Sequence, residues 1–342
     1  MQIFFISAIL SLPLSRILYK QNFITTSDWF GNFAFNWMSF SFVLFTLFAF
    51  FDLTHLSGKI FFKKKLFSKD RFFYPVYIII SAFLFSVYGH FEASDIKVNR
   101  IEIKTDKMTE SSKEFKILQI SDLHIGRRNI KARVEKVIEL SNNEKPDIIV
   151  STGDLIDGEF PDTFFLKKTF GKLISAKGKF AVLGNHENYS GIEYSKILTE
   201  NICGFKLLRN EFVVAGDHLS IAGVDDAAII KNSKTTAAGE LNLLKKIPDD
   251  TYRLFLKHRP DVTENADNFF ELQLSGHTHN GQIFPFFLIT KLVHKYNNGL
   301  YKLKGNSKIY VSSGAGSWGA NIRLFSPPEI TVFILKNEKN FN

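Results

Sequence analysis

The stretch 116-KILQISDLH-124 decides the fold that we predict for this chain of 342 residues. Residues 116–121, which include Ile117, Leu118 and Ile120, are a candidate β-strand. Asp122 and His124 follow where that strand ends. Because α/β sheets bind ligands beyond the carboxyl ends of their strands, these two side chains are candidates for a functional site.

The chain from about Ile96 onward repeats this alternation of β-rich runs, helical segments and turns, which is typical of an α/β domain. The clearest helix begins near Asn129, and its apolar residues recur at the spacing of one helix face that packs on a core. Those residues are Ile130, Val134, Val137 and Ile138. The further strand candidates are residues 147–152, 179–183, 219–224, 252–257, 271–275, 308–312 and 330–335.

Polar side chains follow five of these strand candidates, and we expect them to converge at one edge of the fold. Glycines precede three of them and permit the sharp turns that such positions need. Taken singly, each residue has an ordinary alternative as a turn residue, a helix cap or a buried, hydrogen-bonded histidine. The seven candidate ligands are Asp122, His124, Asp154, Asn185, His258, His277 and His279.

The donor chemistry of this set favours divalent cations of the manganese, zinc or iron type. Carboxylate, imidazole and amide groups suit these ions, and the carboxylates are too few for a calcium cage. One tetrahedral ion needs three or four protein ligands, so seven ligands predict two ions about 3.5 to 4 Å apart. Cys203 is the only cysteine, which excludes a site of several thiolates and an intrachain disulfide.

Five ordered blocks resemble the signature of the calcineurin-like metallophosphoesterases, D-x-H, G-D, G-N-H-[DE], a lone His and G-H-x-H. The resemblance covers residues 116–336 and implies a four-layer α/β/β/α sandwich. The segments GDLIDG (153–158), KHRPD (257–261), GQI (281–283) and PPEI (327–330) are similar to a bacterial branch with amino-terminal membrane segments. The blocks are Asp122-Leu123-His124, Gly153-Asp154, Gly184-Asn185-His186-Glu187, His258 and Gly276-His277-Thr278-His279.

The resemblance also implies a role for each residue. One metal ion would be held by Asp122, His124, Asp154 and His279, and the other by Asp154, Asn185, His258 and His277. A hydroxide that bridges the two ions would be the nucleophile, and His186 would be the catalytic acid that protonates the leaving oxygen. We expect Glu187 and Asp157 to support the site without binding metal. We predict no catalytic role for His55, His90, His218 and His294.

The first ninety residues differ in kind from the rest. Residues 33–51 and 72–89 are two uncharged runs, each about long enough to cross a bilayer as a helix. Residues 1–15 are a shorter third candidate, for which a retained span is favoured over a signal peptide because no basic n-region precedes them. We predict a membrane anchor with two or three transmembrane helices over residues 1–91 and a catalytic domain over residues 92–342.

The net charge of +9 has a local source between the two uncharged runs. A short basic loop there favours contact with anionic lipid over nucleic acid, so we expect no nucleic-acid partner. By the positive-inside rule the loop is cytoplasmic, which places the catalytic domain of a multi-pass plasma (inner) membrane protein on the extracytoplasmic side. The basic residues are Lys59, Lys63, Lys64, Lys65, Lys69 and Arg71.

Residues 282–301 are unusually apolar for a loop, and Lys291 and Lys295 interrupt them. This stretch either lies at the membrane surface or covers the core, and the first alternative favours a lipid-linked phosphodiester or pyrophosphate as substrate. The resemblance suggests one example, a nucleotide-linked acylated glucosamine that is a lipid A precursor. Such a substrate requires cytoplasmic access, which conflicts with the predicted topology. The alternative function is a catalytically silent membrane interaction protein that retains the fold.

Overall fold

The computed structural model describes residues 2–62, 73–107, 114–126, 130–215, 218–229, 233–305 and 307–337. Three helices form the amino-terminal anchor, and two β-sheets with helices on their outer faces follow. The anchor helices are α1 (Gln2–Lys20), α2 (Ile24–Phe62) and α3 (Phe73–Ser94).

The anchor helices α2 and α3 expose apolar surface. Within the described residues, two segments are long and apolar enough to cross a membrane, Ile24–Phe61 and Phe73–Ser94. Only 11% and 22% of their most apolar parts are buried, and Phe45 has 72% of its surface exposed. Such a surface is costly in water and favourable in hydrocarbon, so these helices associate with a membrane. Residues 2–15 of the third predicted span lie within α1, which contains Pro13, and Met1 lies outside the described residues.

The predicted basic loop lies almost entirely outside the described residues. Lys59 is in the last turn of α2, and the other five basic residues fall between 63 and 71, which the structure does not describe. The charge argument for the side of the membrane therefore stays a prediction. The predicted boundary at residue 92 lies inside α3, which ends at Ser94.

The first sheet carries three of the segments that end in predicted site residues. Its strands are β1 (Lys97–Thr105), β2 (Phe115–Ile120), β3 (Ile148–Ser151), β4 (Lys179–Ala181), β5 (Lys206–Leu207) and β12 (Glu329–Asn337). They lie in the order β1-β12-β2-β3-β4-β5, and β2 to β5 are parallel neighbours. The turns after β2, β3 and β4 therefore leave the sheet at the same edge.

The second sheet has a similar construction. Its strands are β6 (Glu211–Val214), β7 (Leu219–Gly223), β8 (Tyr252–Leu256), β9 (Leu272–Ser275), β10 (Gly299–Lys302) and β11 (Lys308–Val311), in the order β10-β11-β9-β8-β7-β6. The pairs β7·β8, β8·β9 and β9·β11 are parallel. The turns after β8 and β9 meet those of the first sheet.

Three apolar clusters separate four layers. Ile117 and Val150 of the first sheet pack against Ile221 and Leu254 of the second. A second cluster joins the first sheet to helices α4 (Lys131–Asn143) and α5 (Thr163–Phe170), and a third joins the second sheet to α8 (Ser233–Leu244). The remaining helices are α6 (Asn185–Ser190), α7 (Ile192–Ile197), the π-helical turn Leu198–Ile202, the 3₁₀ turns Ala266–Asn268 and His279–Gly281, and α9 (Phe287–Val293).

The predicted α/β/β/α fold is confirmed, and all eight predicted strands are present within one or two residues of their predicted ends. The apolar stripe on α4 is buried as expected, and Val134 and Val137 are fully inaccessible. Residue 129, the predicted start of that helix, lies outside the described residues. The prediction missed β1, β5, β6 and β10, which are two-residue or partly exposed strands with a weak apolar pattern.

Helix α3 packs directly against the domain formed by the two sheets. The backbone N–H of Arg323 donates to the carbonyl of Gly89 at 2.9 Å, and the N–H of Phe325 donates to Glu92 at 2.9 Å. A side chain on Gly89 would place its Cβ 2.5 Å from Ile322. This close contact brings α3 next to the edge where the site residues gather.

Candidate active site

Sharp turns at the strand ends present the predicted ligands. Five of the seven have left-handed backbones, a conformation that side-chain-bearing residues rarely adopt. Residues held in such conformations concentrate at functional sites, because the surrounding structure must stabilise them. Their φ angles are 51° for Asp122, 52° for His124, 51° for Asp154, 74° for His277 and 50° for His279.

The structure brings all seven side chains together in two adjoining clusters. In the first, His279 Nε2 lies 2.9 Å from His124 Nε2 and 3.5 Å from Asp122 Oδ1. Groups of this composition, one carboxylate and two buried imidazoles whose ligand atoms lie within 4.8 Å of one another, are able to hold a metal ion.

The second cluster is centred on His258, which is fully buried. Its Nε2 lies 3.2 Å from Asp154 Oδ2, 3.2 Å from the amide oxygen of Asn185 and 3.2 Å from His277 Nδ1. The carboxylate and two imidazoles here form another group that is able to hold an ion. Asn185 adds a neutral oxygen ligand.

Asp154 connects the two clusters. Its Oδ2 is 3.2 Å from His258 Nε2 in the second cluster and 4.0 Å from His124 Nε2 in the first. The other carboxylate oxygen accepts the backbone N–H of His186 at 2.9 Å. One Asp154 oxygen therefore faces both groups of ligands at once.

The donor set fits cations. His258 Nδ1 lies 2.9 Å from the carbonyl of Thr152 and must carry the proton to bind it. Its Nε2 therefore faces a carboxylate, an amide oxygen and a second imidazole, and such acceptors repel one another unless positive charge lies between them. Burial alone lowers the pKa of His258, but Asp154 outweighs burial and raises it to about 10. The cluster thus attracts positive charge.

Two of the histidines are held neutral. Burial, together with the positive charge at His258, lowers the pKa of His277 to about 2. Burial also lowers the pKa of His279 well below its usual value, aided by the nearby Arg323. A neutral imidazole keeps the lone pair that a metal ion requires.

His186 lies beside the clusters, and Asp157 orients it. The ring centroids of His186 and His124 are 4.6 Å apart. Asp157 Oδ1 lies 2.8 Å from His186 Nδ1, and its Oδ2 lies 3.2 Å from His124 Nδ1. Burial lowers the pKa of His186, but the hydrogen bond to Asp157 and the neighbouring carboxylates outweigh burial and raise it. A raised pKa keeps a proton on the ring.

Glu187 braces the turns that carry the ligands. Its carboxylate accepts backbone N–H groups from Gly184 at 2.7 Å, Ile156 at 2.8 Å and Asp154 at 3.0 Å. Burial raises the pKa of Glu187 to about 7, because its three backbone donors only partly offset desolvation and the charge of Asp154. The prediction that Glu187 and Asp157 support the site without binding metal stays a prediction, because Asp157 also forms a group of possible ligands with His124 and His186.

Sequence reasoning missed Arg323, and it predicted no catalytic role for two histidines, His294 and His90, that lie near the site. Arg323 is fully buried, and its Nη2 lies 3.0 Å from His279 Nδ1. The ring centroids of His294 and His277 are 5.4 Å apart. His90 lines a cavity that reaches His124. No local pattern marks Arg323, because it approaches the site from a loop more than forty residues after His279.

Comparisons with known proteins agree with this geometry. Residues 115–281 match the family described as calcineurin-like phosphoesterase. An uncharacterized metallophosphoesterase of Aquifex aeolicus is 36% identical over 260 residues, which cover 76% of this chain and 99% of the relative. One from Campylobacter jejuni is 36% identical over 269 residues, covering 77% of this chain and 69% of that protein. A transmembrane protein with metallophosphoesterase domain from Danio rerio is 28% identical over 279 residues, covering 76% and 62%.

Proposed function

This chain belongs to the calcineurin-like metallophosphoesterases and is a phosphoester hydrolase, and we propose that it works with two divalent cations held by the two clusters. The position of Asp154 carries this proposal, because one carboxylate oxygen faces His258 at 3.2 Å and His124 at 4.0 Å. A shared carboxylate is how proteins commonly join two ions. Manganese, zinc and iron fit the nitrogen and oxygen donors.

Each cluster supplies ligands to one cation. Asp122, His124 and His279 would hold the first cation, and Asn185, His258 and His277 would hold the second, with Asp154 available to both. When bound, such cations lower the pKa of water and offset negative charge on the transferring phosphoryl group. The left-handed turns and the bracing by Glu187 hold the ligand atoms in place before binding, which reduces the cost of organising the site.

His186 moves the proton that the leaving oxygen needs. Its Nδ1 is engaged by Asp157 at 2.8 Å, so Nε2 is the atom that donates. The carboxylate stabilises the protonated ring and fixes its orientation, which makes Asp157 a positioning residue. Because Asp157 also contacts His124, it couples the acid to the first cluster.

The apolar faces of α2 and α3 support a multi-pass protein of the plasma membrane. We place the catalytic domain on the extracytoplasmic side, on the strength of the basic loop between the two spans. A reporter fused after Asn342 tests this placement, since alkaline phosphatase is active outside the cytoplasm and a fluorescent protein inside it. If the fluorescent fusion is bright and the phosphatase fusion is inactive, the catalytic domain lies in the cytoplasm and this placement is wrong.

A lipid-linked phosphodiester or pyrophosphate is the substrate class that the surroundings of the site favour. Helix α9 exposes Leu292 by 87% and Val293 by 71%, and Lys291 lies on the same helix. The ring of Phe286, just before α9, lies 6.1 Å from Phe42 of α2. The apolar side of α9 thus continues the apolar surface of the anchor. The lipid A precursor stays a prediction, since the relatives above are named for no substrate.

The deciding experiment uses the full-length protein in detergent. With added Mn²⁺ we expect hydrolysis of bis(4-nitrophenyl) phosphate, about two ions per chain, and loss of both after treatment with a chelator. Re-addition of Mn²⁺ restores them. A catalytically silent membrane protein would hydrolyse nothing under these conditions, and a chain without bound metal or turnover would refute the proposal.

A further inference from the structure

A cavity of about 660 Å³ lies between the anchor and the candidate active site. His124 and Asp157 line one side of it, so the cavity reaches both the first cluster and the carboxylate that orients His186. Its volume is that of a site for a small organic ligand. Its anchor side is lined by residues from all three helices, including Arg16, Lys20, Asn32, Asn36 and His90.

Helix α2 presents a polar stripe to this cavity. Asp28, Asn32 and Asn36 are spaced four residues apart along α2, and all three line the cavity. Asn36 Oδ1 also lies 3.0 Å from His90 Nε2 of α3. Polar residues on membrane-spanning helices are costly, and they usually face a cavity or a substrate path. The anchor therefore contributes more than attachment.

Arg133 of α4 is a partly buried cation that lines the cavity. Its guanidinium contacts neutral oxygens, the carbonyl of Ala93 at 3.3 Å and the side-chain amide of Asn321. Within the residues that the structure describes, it forms no ion pair. Burial lowers its pKa to about 10, which reflects the cost of a desolvated charge without a counter-ion. An arginine in this state is suited to bind an anion.

Among the residues that the structure describes, no ion pair joins Arg133 to an acidic residue of the cavity. Asp157 is engaged by two histidines, and Glu159 accepts the hydroxyl hydrogen of Tyr19. Asp28 lies on the polar stripe of α2. Arg16 of α1 adds a cation to the same lining.

We propose that this cavity binds the head group of the substrate and that Arg133 binds a second anionic group there, beside the phosphoester that is cleaved. The inference rests on the proposed function and adds its substrate class, an amphiphile that carries a second phosphate or a group of similar charge. Guanidinium groups bind phosphate oxygens in pairs, which gives both affinity and orientation. The anchor helices and the catalytic domain together form the substrate site.

The test compares two esters with the same leaving group, both in detergent micelles with Mn²⁺ and the full-length protein. One is 4-nitrophenyl dodecyl phosphate, and the other carries an additional phosphonate on the third carbon of its dodecyl chain. We expect kcat/KM to be about tenfold higher for the phosphonate ester, since a charge-assisted contact discriminates by that order. Arg133→Gln brings this ratio close to one, and Arg133→Lys keeps part of it.

Two further variants make the test independent of the folding of Arg133→Gln. Arg16→Gln changes an exposed side chain and lowers the ratio by about threefold, because it removes a second cation from the cavity. Lys131→Gln is the matched control, two residues from Arg133 on α4 and paired with Asp162, and it leaves the ratio unchanged. If Arg133→Gln does not fold, Arg16→Gln decides.

The outcomes separate this inference from the proposed function. If the wild-type protein hydrolyses both esters without preference, or if both the Arg133 and Arg16 variants keep its preference, the head-group site is refuted while the phosphoesterase stands. If neither ester is hydrolysed and no metal is bound, the proposed function fails and this inference fails with it.

Discussion

The catalytic domain and the anchor differ in which side chains they bury and which they expose. In the domain, charged groups such as Asp122 and His258 are fully buried and have partners. In the anchor, Phe45 and Phe91 are exposed by 72% each, while Asn36 lines the internal cavity. The comparison teaches that the two regions suit different solvents and meet at a cavity, where in our proposal the catalytic domain supplies the chemistry and the anchor contributes to substrate selection.

The largest expected effect comes from Asp154→Ala, which removes the residue common to both clusters. We expect hydrolysis to fall on the order of 10³-fold or more and bound metal to fall below two ions per chain, because each cluster loses a ligand. Elemental analysis and initial rates measure the two quantities. Asp249→Ala is the control, since that carboxylate is 91% exposed. Full activity of Asp154→Ala would show that the metal-ligand side of the cavity does not carry out the catalysis.

His186→Gln is expected to lower kcat by about a hundredfold, because the leaving oxygen loses its proton donor. Metal content should stay at the wild-type value, since neither cluster contains this side chain. The loss should be larger for an alkyl leaving group than for 4-nitrophenol, which departs without a proton. His218→Gln, directly before β7, serves as the control. An equal loss for both leaving groups would argue that His186 binds substrate and does not donate a proton.

Asp157→Asn is expected to lower kcat by about tenfold, as is usual when the carboxylate behind a working histidine is neutralised. The decisive measurement is a double-mutant cycle with His186→Gln. If Asp157 acts through His186, the double variant should be no more than about threefold slower than His186→Gln alone. Multiplied losses would show instead that Asp157 acts through its contact with His124.

The smallest effect is expected for a change on α9, whose apolar side adjoins the anchor helices. Leu292→Asp places a charge on the exposed side of α9, and we expect hydrolysis of a phosphodiester embedded in lipid vesicles to fall about threefold. The rate with soluble bis(4-nitrophenyl) phosphate should not change. Ile174→Asp is the matched control, because Ile174 is also exposed but lies between α5 and β4. Equal losses of activity on both substrates would show that α9 does not act by contacting the membrane.

Most of the candidate metal ligands were predictable from the sequence because their positions depend on local patterns. The strand that ends before Asp122 is a short apolar run, and a sharp turn must follow wherever parallel strands leave a sheet. The seven candidate ligands stand at such turns, and the structure places His279 Nε2 3.5 Å from Asp122 Oδ1. The edge strands were missed since their alternation of exposed and buried residues is weak.

The side of the cavity opposite the candidate ligands could not be predicted in this way. Arg133 and Asn321 are 188 positions apart in the chain, and both reach the cavity only because α3 packs against the loop that contains Ile322. In the sequence Asn36 and His90 are isolated polar residues within apolar segments. The packing of α2 against α3 places Asn36 Oδ1 3.0 Å from His90 Nε2. The side of the membrane depends on a basic segment whose surroundings the described residues do not include.

The sequence by itself determined the family, the fold and the candidate ligands, because strand pattern and motif spacing are properties of short segments. Only the tertiary structure decided which groups surround those ligands: Arg323 behind His279, Asp157 between two histidines, and the anchor helices across the cavity. The physical reason is that burial and electrostatic fields arise from contacts between segments distant in the chain, and no local pattern encodes them.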